Sequence, residues 1–395
     1  MKDKAVIFIT SSDFSSPSAF LFRLLAIARG LIENEVFVYW FILGSEPIDE
    51  IANDPFYKYI KFVRIGKPNK LIKRSRIAFY LYLRILELRL QPYMNNITEH
   101  FNNIVCFTVG DDFLHLFNII TLCKKNGIRV FHERTEYPLL NKKSLRQKIN
   151  VQLYLKYIVP RFDHIFVISK ALKHFFENEL KENNKSIPVT LLNMVVEPDR
   201  YSCSCSSIDS QYKDIVFVGS MYGDKDGVYY LLEAFLKIYQ DYPDSRLILI
   251  GDNTRVLQMQ RVNNILSKMP YSDRIIFTGQ LDRKSVIEKI NSAYCLVLAR
   301  PNNIQAKYGF PTKLGEYLST GKPVIVTSVG DIPLFLRDGE NAYIAKPDNV
   351  DAFANKLNEC LSDSIKASFI GKKGKELVYG EFNYLEVTKN IVYSM

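Results

Sequence analysis

Along the first half of the chain, short runs rich in β-branched and aromatic residues alternate with longer segments whose apolar residues recur every three or four positions. The short runs fall at 5–10, 36–43, 60–65, 103–109, 129–132, 164–169 and 189–192. Helical patterns between them include 18–32, 71–90, 114–126, 145–158 and 171–181. The second half repeats the alternation, with runs at 214–219, 246–251, 274–279, 294–299, 323–327 and 343–345. A strand with one face in water alternates apolar and polar residues, whereas these runs are apolar almost throughout. That is the pattern of parallel strands covered by helices on both faces. The expected fold class is α/β, with two doubly wound domains in succession. The break is placed at 201–213, where Ser202, Ser204, Ser206, Ser207 and Ser210 surround Cys203 and Cys205 in a polar linker. This sets a first domain at 1–200 and a second at 214–375, with 376–395 expected to form a helix that packs back on the first. Doubly wound sheets bind ligands beyond the C-terminal ends of their strands, so the two domains are expected to face a central cleft.

Composition narrows the class. Of 395 residues, 47% are apolar and 13% aromatic, enough to build large cores and to exclude a disordered chain. No stretch of 18 uncharged apolar residues occurs, so no membrane-spanning helix is expected. The N-terminal segment lacks the apolar core and cleavage site of a secretory signal. The six cysteines are scattered, which fits reduced thiols and a cytoplasmic protein better than a disulfide framework or a zinc site.

The net charge of +10 is uneven. Residues 1–200 hold 29 Lys and Arg against 20 Asp and Glu, which leaves the second half nearly neutral. Two stretches dominate: between Lys58 and Arg89 there are ten basic residues and one acid, Glu87, and from Asn141 to Arg161 six basic residues and no acid. Tyr82, Ile85, Leu86, Ile149, Leu153 and Tyr157 run through them at helical spacing. Such a basic amphipathic helix can lie on an anionic membrane, bind nucleic acid, or pack its stripe on its own domain with the charges in water.

Two glycine-bearing segments in the second half carry candidate chemistry. The first reads Lys307-Tyr-Gly-Phe-Pro-Thr-Lys-Leu-Gly-Glu-Tyr-Leu-Ser-Thr-Gly-Lys-Pro-Val-Ile325. Gly309 and Pro311 make a turn, Thr312 is the expected N-cap, and a short helix over 313–319 ends at Gly321. Such a helix start offers backbone N–H groups and a favourable dipole to a phosphate. Lys313 adds a full charge, and Glu316, one turn on, can accept hydrogen bonds from ribose hydroxyls. Taken alone, the segment serves equally as a plain strand–turn–helix connection with Lys313 and Glu316 in solvent. The second segment, 218–235, has Gly219, Gly223 and Gly227 bridging a strand and a helix, with Lys225 beside them. It is neither G-x-G-x-x-G nor G-x-x-x-x-G-K-[ST], so a dinucleotide or Walker-type site is not expected.

These segments combine with Leu247-Ile-Leu-Ile-Gly-Asp, Ile276-Phe-Thr-Gly-Gln-Leu, Phe162-Asp-His-Ile-Phe-Val-Ile-Ser-Lys-Ala-Leu and Asn193-Met-Val-Val-Glu-Pro-Asp-Arg-Tyr. In order and spacing the chain resembles, over most of its length, the retaining glycosyltransferases of family 4, glycosyl transferases group 1. The resemblance implies the GT-B fold, with two Rossmann-like domains, the second holding a nucleoside diphosphate sugar and the first an acceptor. It implies transfer with retention at the anomeric carbon, the leaving diphosphate taking the acceptor proton, with no metal and no cofactor besides the donor. His132, Lys225, Lys313 and Glu316 become the catalytic set. Glu316 matches the second glutamate of the family's Glu-x7-Glu motif, which holds the donor ribose, and Gly279, Gln280 and Leu281 match the turn at the nucleobase. Gly219, Tyr308, Gly309, Phe310, Pro311, Thr312 and Leu314 complete the donor surface. Three positions depart from the family: Tyr308 stands in place of the first glutamate, and Ser220 and Asp226 where many members carry the Arg and Lys that bind the diphosphate. Lys225, Lys313 and Arg300 are then the cations left to hold it.

On the acceptor side, Ser15 and Ser16 lie in a serine-rich loop at 11–18 that binds sugar hydroxyls or serves as turn and helix cap. His132 either reaches the donor sugar, as a family histidine near this position does, or is a buried structural histidine. Glu133 and Arg134 are acceptor ligands or, with Glu136, an internal ion network. Asp111 and Asp112 lack the spacing of a metal motif and read as a helix cap. Taken together, the resemblance implies hexose transfer to a glycan or polyprenyl-diphosphate-linked acceptor in bacterial surface-polysaccharide assembly. The basic helices then lie on the inner face of the cell membrane, and nucleic acid is not expected as a partner. The altered positions leave open a catalytically inactive, sugar-nucleotide-binding partner subunit.

Overall fold

The computed structural model describes residues 3–10, 19–43, 55, 57–66, 76–140, 144–201, 211–219, 221, 225–254, 260–267 and 272–395. The chain divides into unit 1, Met1–Val195 with Tyr384–Met395, and unit 2, Val196–Asn383.

Unit 1 is built on a seven-stranded sheet in the order β3-β2-β1-β4-β5-β6-β7. Its strands are β1 Lys4–Thr10, β2 Phe37–Ile42, β3 Ile60–Arg64, β4 Asn103–Val109, β5 Arg129–Arg134, β6 His164–Val167 and β7 Val189–Leu191. All pairings are parallel. The connecting helices are α1 Ala19–Glu33, α2 Arg76–His100, α3 Phe113–Lys125, α4 Leu145–Leu153 and α5 Lys170–Glu182. The apolar run becomes a central strand because both faces of β1 are covered: each side chain from Ala5 to Ile9 is buried. Phe8 stacks on Trp40 at 4.8 Å, and the Trp40 indole N–H donates to Thr10 Oγ1 at 2.8 Å, so the polar atom of that ring is satisfied inside the core.

Two helices depart from the expected pattern. α2 continues past 90 to His100 because Leu90, Met94 and Ile97 extend the buried stripe, with Pro92 inside the helix. The helix expected over 145–158 changes at Tyr154 into a π-helical turn, Tyr154–Ile158, and then a 3-10 turn, Val159–Arg161, in which Pro160 lacks an N–H. The change starts at the buried Tyr154, whose hydroxyl is held by His132.

Unit 2 carries a six-stranded parallel sheet in the order β10-β9-β8-β11-β12-β13. Its strands are β8 Lys213–Val218, β9 Ser245–Ile250, β10 Ile275–Gly279, β11 Cys295–Leu298, β12 Val324–Thr327 and β13 Tyr343–Ala345. Its helices are α6 Val228–Ile238, α7 Gln260–Leu266, α8 Arg283–Ser292, α9 Ile304–Tyr308, α10 Thr312–Thr320, α11 Ile332–Phe335, α12 Val350–Ser362 and α13 Ser364–Tyr379. Both units are doubly wound and Rossmann-like, the α/β class read from the sequence.

The chain enters unit 2 at Val196, before the serine-rich segment. There the Val196 N–H donates to the Phe382 carbonyl at 2.8 Å, and Val196 bridges to Asn383. Residues 202–210 of the expected linker lie outside the described residues. The last helix, α14 Tyr384–Ser394, belongs to unit 1 and packs on α1, where Gly30 lets Thr388 and the Tyr384 carbonyl approach. α13 stays with unit 2, so the returning segment starts at Tyr384 and not at 376. Cys106 of β4 is hydrogen-bonded to Cys123 of α3, and Cys295 of β11 to Cys360 of α12; all four are buried free thiols. Among the described residues no helix is long and apolar enough to cross a membrane.

Candidate functional site

Where the strand order of a doubly wound sheet reverses, the strand ends leave a crevice. In unit 2 that point lies between β8, which ends at Val218 just before Gly219, and β11, which runs out through Ala299 to Arg300. α10 is anchored here: the Val218 N–H donates to the hydroxyl of the fully buried Tyr317 at 2.7 Å. A Cβ on Gly219 would collide with the Lys313 ammonium, the Phe217 ring and the Asp226 carboxylate, so a glycine is what lets these groups converge. Gly227, at φ 67°, opens α6 and passes close to the Ala299 carbonyl, a place with no room for a side chain.

The result is a compact charged cluster. Lys313 Nζ lies 2.7 Å from Asp226 Oδ2, and Arg300 Nε lies 4.0 Å from Asp226 Oδ1. Asp226 and Arg300 are buried, while Lys313 keeps 21% of its side chain exposed. Arg300 Nε and Nη1 are buried without a hydrogen-bond partner among the described residues. Burial pulls both cations below their ordinary values and the Asp226 carboxylate pulls them back up; for Lys313, nearby Lys225 and Arg300 add to the lowering. Two cations against one anion, with two N–H groups unpaired, make a site that an anion completes.

Glu316 sits one turn beyond Lys313 on α10, half-buried. Its Oε1 accepts a hydrogen bond from the Tyr201 hydroxyl at 3.1 Å. Burial raises the Glu316 carboxyl above the usual carboxylate range, opposed by Arg283, Tyr201, Lys313 and Arg200 in that order. Gly279 ends β10 in the left-handed region at φ 71°, followed by the exposed Gln280 and half-buried Leu281.

Other expected donor residues are placed differently. Thr312 is not the N-cap: it is the first residue of α10, capped by Pro311, which offers no side-chain hydrogen bond. Leu314 is fully buried, and Phe310 packs with Phe335 and Phe382 at 5.8 and 6.0 Å, so neither side chain is free for a ligand. Tyr308 and Gly309 are half-buried at the end of α9. Ser220, Ser15 and Ser16 lie outside the described residues.

In unit 1 the structure places His132 as the buried structural histidine, the second of its two readings, and not in the catalytic set. Its ring is fully buried, Nδ1 pairs with Thr108 Oγ1 at 3.0 Å and Nε2 with the Tyr154 hydroxyl at 2.9 Å. Phe162 stacks on one face at 4.2 Å, and burial, helped by Arg134, holds the imidazole well below its ordinary value. His132 is a neutral core histidine with both nitrogens engaged. Glu133 forms a buried pair with Arg23, Nε to Oε1 at 2.9 Å, and Arg23 also donates to the Leu192 and Asn193 carbonyls at 2.7 Å each. Arg134 Nη2 lies 3.5 Å from Asp111 Oδ2. Among the described residues Glu133 Oε2, Asn193 Oδ1 and Arg134 Nε are buried without partners at the ends of β5 and β7. Asp112 caps α3, accepting from the His115 N–H at 2.8 Å. Among the described residues no three His, Cys, Asp or Glu side chains group as metal ligands.

Sequence reasoning missed Arg23, Tyr201 and Tyr317. Arg23 carried a readable signal, a charge inside the apolar stretch 19–28 of a helix whose neighbours are buried. Tyr201 and Tyr317 carried none, since their hydroxyls find partners 115 and 99 residues away.

Residues 212–363, most of unit 2, match the family model described as Glycosyl transferases group 1. An uncharacterized glycosyltransferase of Methanocaldococcus jannaschii is 25% identical over 344 residues, 81% of this chain and 90% of its own. The N-acetyl-alpha-D-glucosaminyl L-malate synthase of Bacillus anthracis is 23% identical over 233 residues, 58% of each chain. Among solved structures, Anabaena HepE in complex with UDP and glucose superposes with a TM-score of 0.70 at 12% identity, over 99% of both chains. Two Rossmann-like units in succession, matched end to end by such a structure, define the GT-B fold. Unit 2 thus matches Glycosyl transferases group 1 over residues 212–363, and the chain is a glycosyltransferase.

Proposed function

We propose that unit 2 binds a nucleoside diphosphate sugar and that the chain transfers its sugar, with retention, to a glycan or polyprenyl-diphosphate-linked acceptor held by unit 1. The observation that carries this reading is Arg300: a buried guanidinium whose Nε and Nη1 have no partner among the described residues, beside Lys313 at the strand-order reversal of a glycosyltransferase domain. Lys313 and Arg300, with Lys225, hold the diphosphate and stabilise the charge that develops as it leaves. Glu316 accepts from the ribose hydroxyls, and Gly279, Gln280 and Leu281 meet the base. As the bond from the anomeric carbon to the diphosphate breaks, the acceptor oxygen bonds that carbon from the same face, and a diphosphate oxygen takes the acceptor proton. Neither a metal nor a protein nucleophile is required. The UDP and glucose in the HepE structure are ligands of this chemical kind.

The acceptor reading draws support from the surface of α3, α4 and the π turn. Leu114, Phe117, Leu145, Ile149 and Tyr157 are each at least 40% exposed. Arg146, Lys148 and Lys156 are exposed among them, and no acid occurs from 141 to 161. Apolar groups ringed by cations fit an anionic membrane surface, where a lipid-linked acceptor resides. The test is transfer from a panel of nucleotide sugars, with the anomeric configuration of the product read by NMR. The expected product keeps the donor configuration, and Glu316→Ala loses most activity with the fold intact; an inverted product or an active Glu316→Ala contradicts the reading. A second reading, an inactive donor-binding subunit, is favoured by Tyr308 at the first glutamate's place and by Asp226 neutralising Lys313. It requires donor binding without transfer or hydrolysis.

A further inference from the structure

We infer that Tyr201 is a positioning residue for the donor site, holding Glu316 in the orientation and charge state that receive the ribose. This rests on the donor reading of Glu316 and adds a residue outside the charged cluster.

Tyr201 belongs to the short turn Pro198–Tyr201, just after the chain enters unit 2. The turn is fixed on both sides. The Val196 N–H donates to Phe382, and the Tyr201 carbonyl accepts from Asn291 Nδ2 of α8 at 2.9 Å. Arg283 of α8 lies over the ring, 5.8 Å from its centre. The ring is buried, and a buried phenol needs a partner; its hydroxyl donates to Glu316 Oε1 at 3.1 Å. No hydrogen bond to Glu316 Oε2 occurs among the described residues, so that oxygen remains for a ligand hydroxyl. A phenylalanine would fill the same space and lose only the donor.

The chemistry decides what the hydroxyl is for. Burial favours the neutral form of Glu316, and a protonated carboxyl loses acceptor capacity. A hydrogen bond donated to the carboxylate favours the charged form, as do Arg283 of α8, Arg200 of the same turn and Lys313 of α10. From the other side, α13 approaches α10 through Gly371 and Gly374, and the charge it places there is Lys375, whose side chain lies by Gly321 at the far end of α10 from Lys313. Tyr201 is itself pushed up by burial and by Glu316, so it stays a protonated donor throughout the working range.

The test is calorimetric binding of UDP, GDP and ADP to wild type, Tyr201→Phe, Glu316→Gln and the double variant, from pH 5 to pH 8. All three probes share the ribose diphosphate, and their own phosphate titration is common to every variant. Tyr201→Phe is expected to bind the best probe about tenfold more weakly at neutral pH, the scale of a lost hydrogen bond to a charged group. Its affinity is expected to start falling at a pH about one unit higher than in wild type, because Glu316 now protonates earlier. In the Glu316→Gln background Tyr201→Phe should change little. Wild-type affinity and pH profile in Tyr201→Phe overturn the inference while leaving the donor reading intact. Wild-type affinity in Glu316→Gln, or no binding of any probe to wild type, overturns the donor reading and this inference with it. If Tyr201→Phe has a lowered thermal midpoint, Asn291→Ala, which frees the same turn without touching Glu316, separates the cases. An equal drop in midpoint with an unmoved pH profile in both variants refutes the positioning role.

Discussion

Replacing Arg300 by Met separates function from stability, because the two are expected to move in different directions. Its side chain is 4% exposed, its Nε sits 4.0 Å from Asp226 Oδ1, and Nε and Nη1 have no partner among the described residues. At an effective dielectric of 20, the attraction to Asp226 is worth about 4 kcal/mol. Against it stand the desolvation of a cation, several kcal/mol, and about 1–3 kcal/mol for unpaired buried N–H groups. The downward displacement of Arg300 from its ordinary value shows that burial outweighs Asp226. Arg300→Met, which keeps the aliphatic stem and leaves Asp226 paired with Lys313, should therefore be no less stable than wild type in urea unfolding. Nucleoside diphosphate affinity should fall by the worth of one charge-assisted hydrogen-bonding group, about 1.5–3 kcal/mol or ~10–150-fold in Kd by calorimetry. A variant that binds as tightly as wild type but unfolds about 2 kcal/mol more easily would show that Arg300 is a structural ion, and the anion-site reasoning would fail.

Other consequences can be measured independently. Arg23→Met strands the Glu133 carboxylate and should cost about 3–5 kcal/mol in urea unfolding, with much of it recovered in the double variant Arg23→Met/Glu133→Leu; an unaffected single variant would show that the pair is not buried as described. The unfolded chain protonates His132 and His164 near 6.5, whereas the folded chain holds His132 well below that and His164 at about 4. Stability is thus full above about pH 6.5 and falls as the pH drops below it, a slope that His132→Gln should reduce without changing nucleotide affinity. Cys106, Cys123, Cys295 and Cys360 should resist a thiol reagent in the native protein and add four reactive thiols on unfolding. Binding to anionic liposomes should weaken with salt and with Leu145→Asp/Ile149→Asp; no sedimentation at low salt would count against the membrane surface.

The fold was legible because burial on both faces leaves an unbroken apolar run, and the run 103–109 became β4 with the same bounds. α10 was legible too, since Gly321 in the left-handed region stops it where expected. Its start was misplaced by one residue because Pro311 has the extended backbone of a cap without a capping side chain, so Thr312 looked like the better cap. His132 misled for a related reason. An ionisable residue at the end of an apolar run reads as a site residue, yet the partners that make it a core residue, Tyr154 and Phe162, lie on a later helix and the turn after it. The pairing of Asp226 with Lys313, 87 residues apart, was likewise invisible: Asp226 looked like a lone departure and Lys313 like a cation open to the diphosphate, and only the sheet reversal at Gly219 brings them together.

In the proposed reading, unit 2 is a nucleotide-sugar site formed by Arg300, Lys313 and Glu316. Its most direct test is the thermal midpoint of wild type and Glu316→Ala across a panel of nucleoside diphosphate sugars, since a ligand that binds only the folded state raises the midpoint by mass action. At least one donor is expected to raise the wild-type midpoint and leave that of Glu316→Ala unmoved. Equal shifts in both proteins, or none in either across the whole panel, would contradict it.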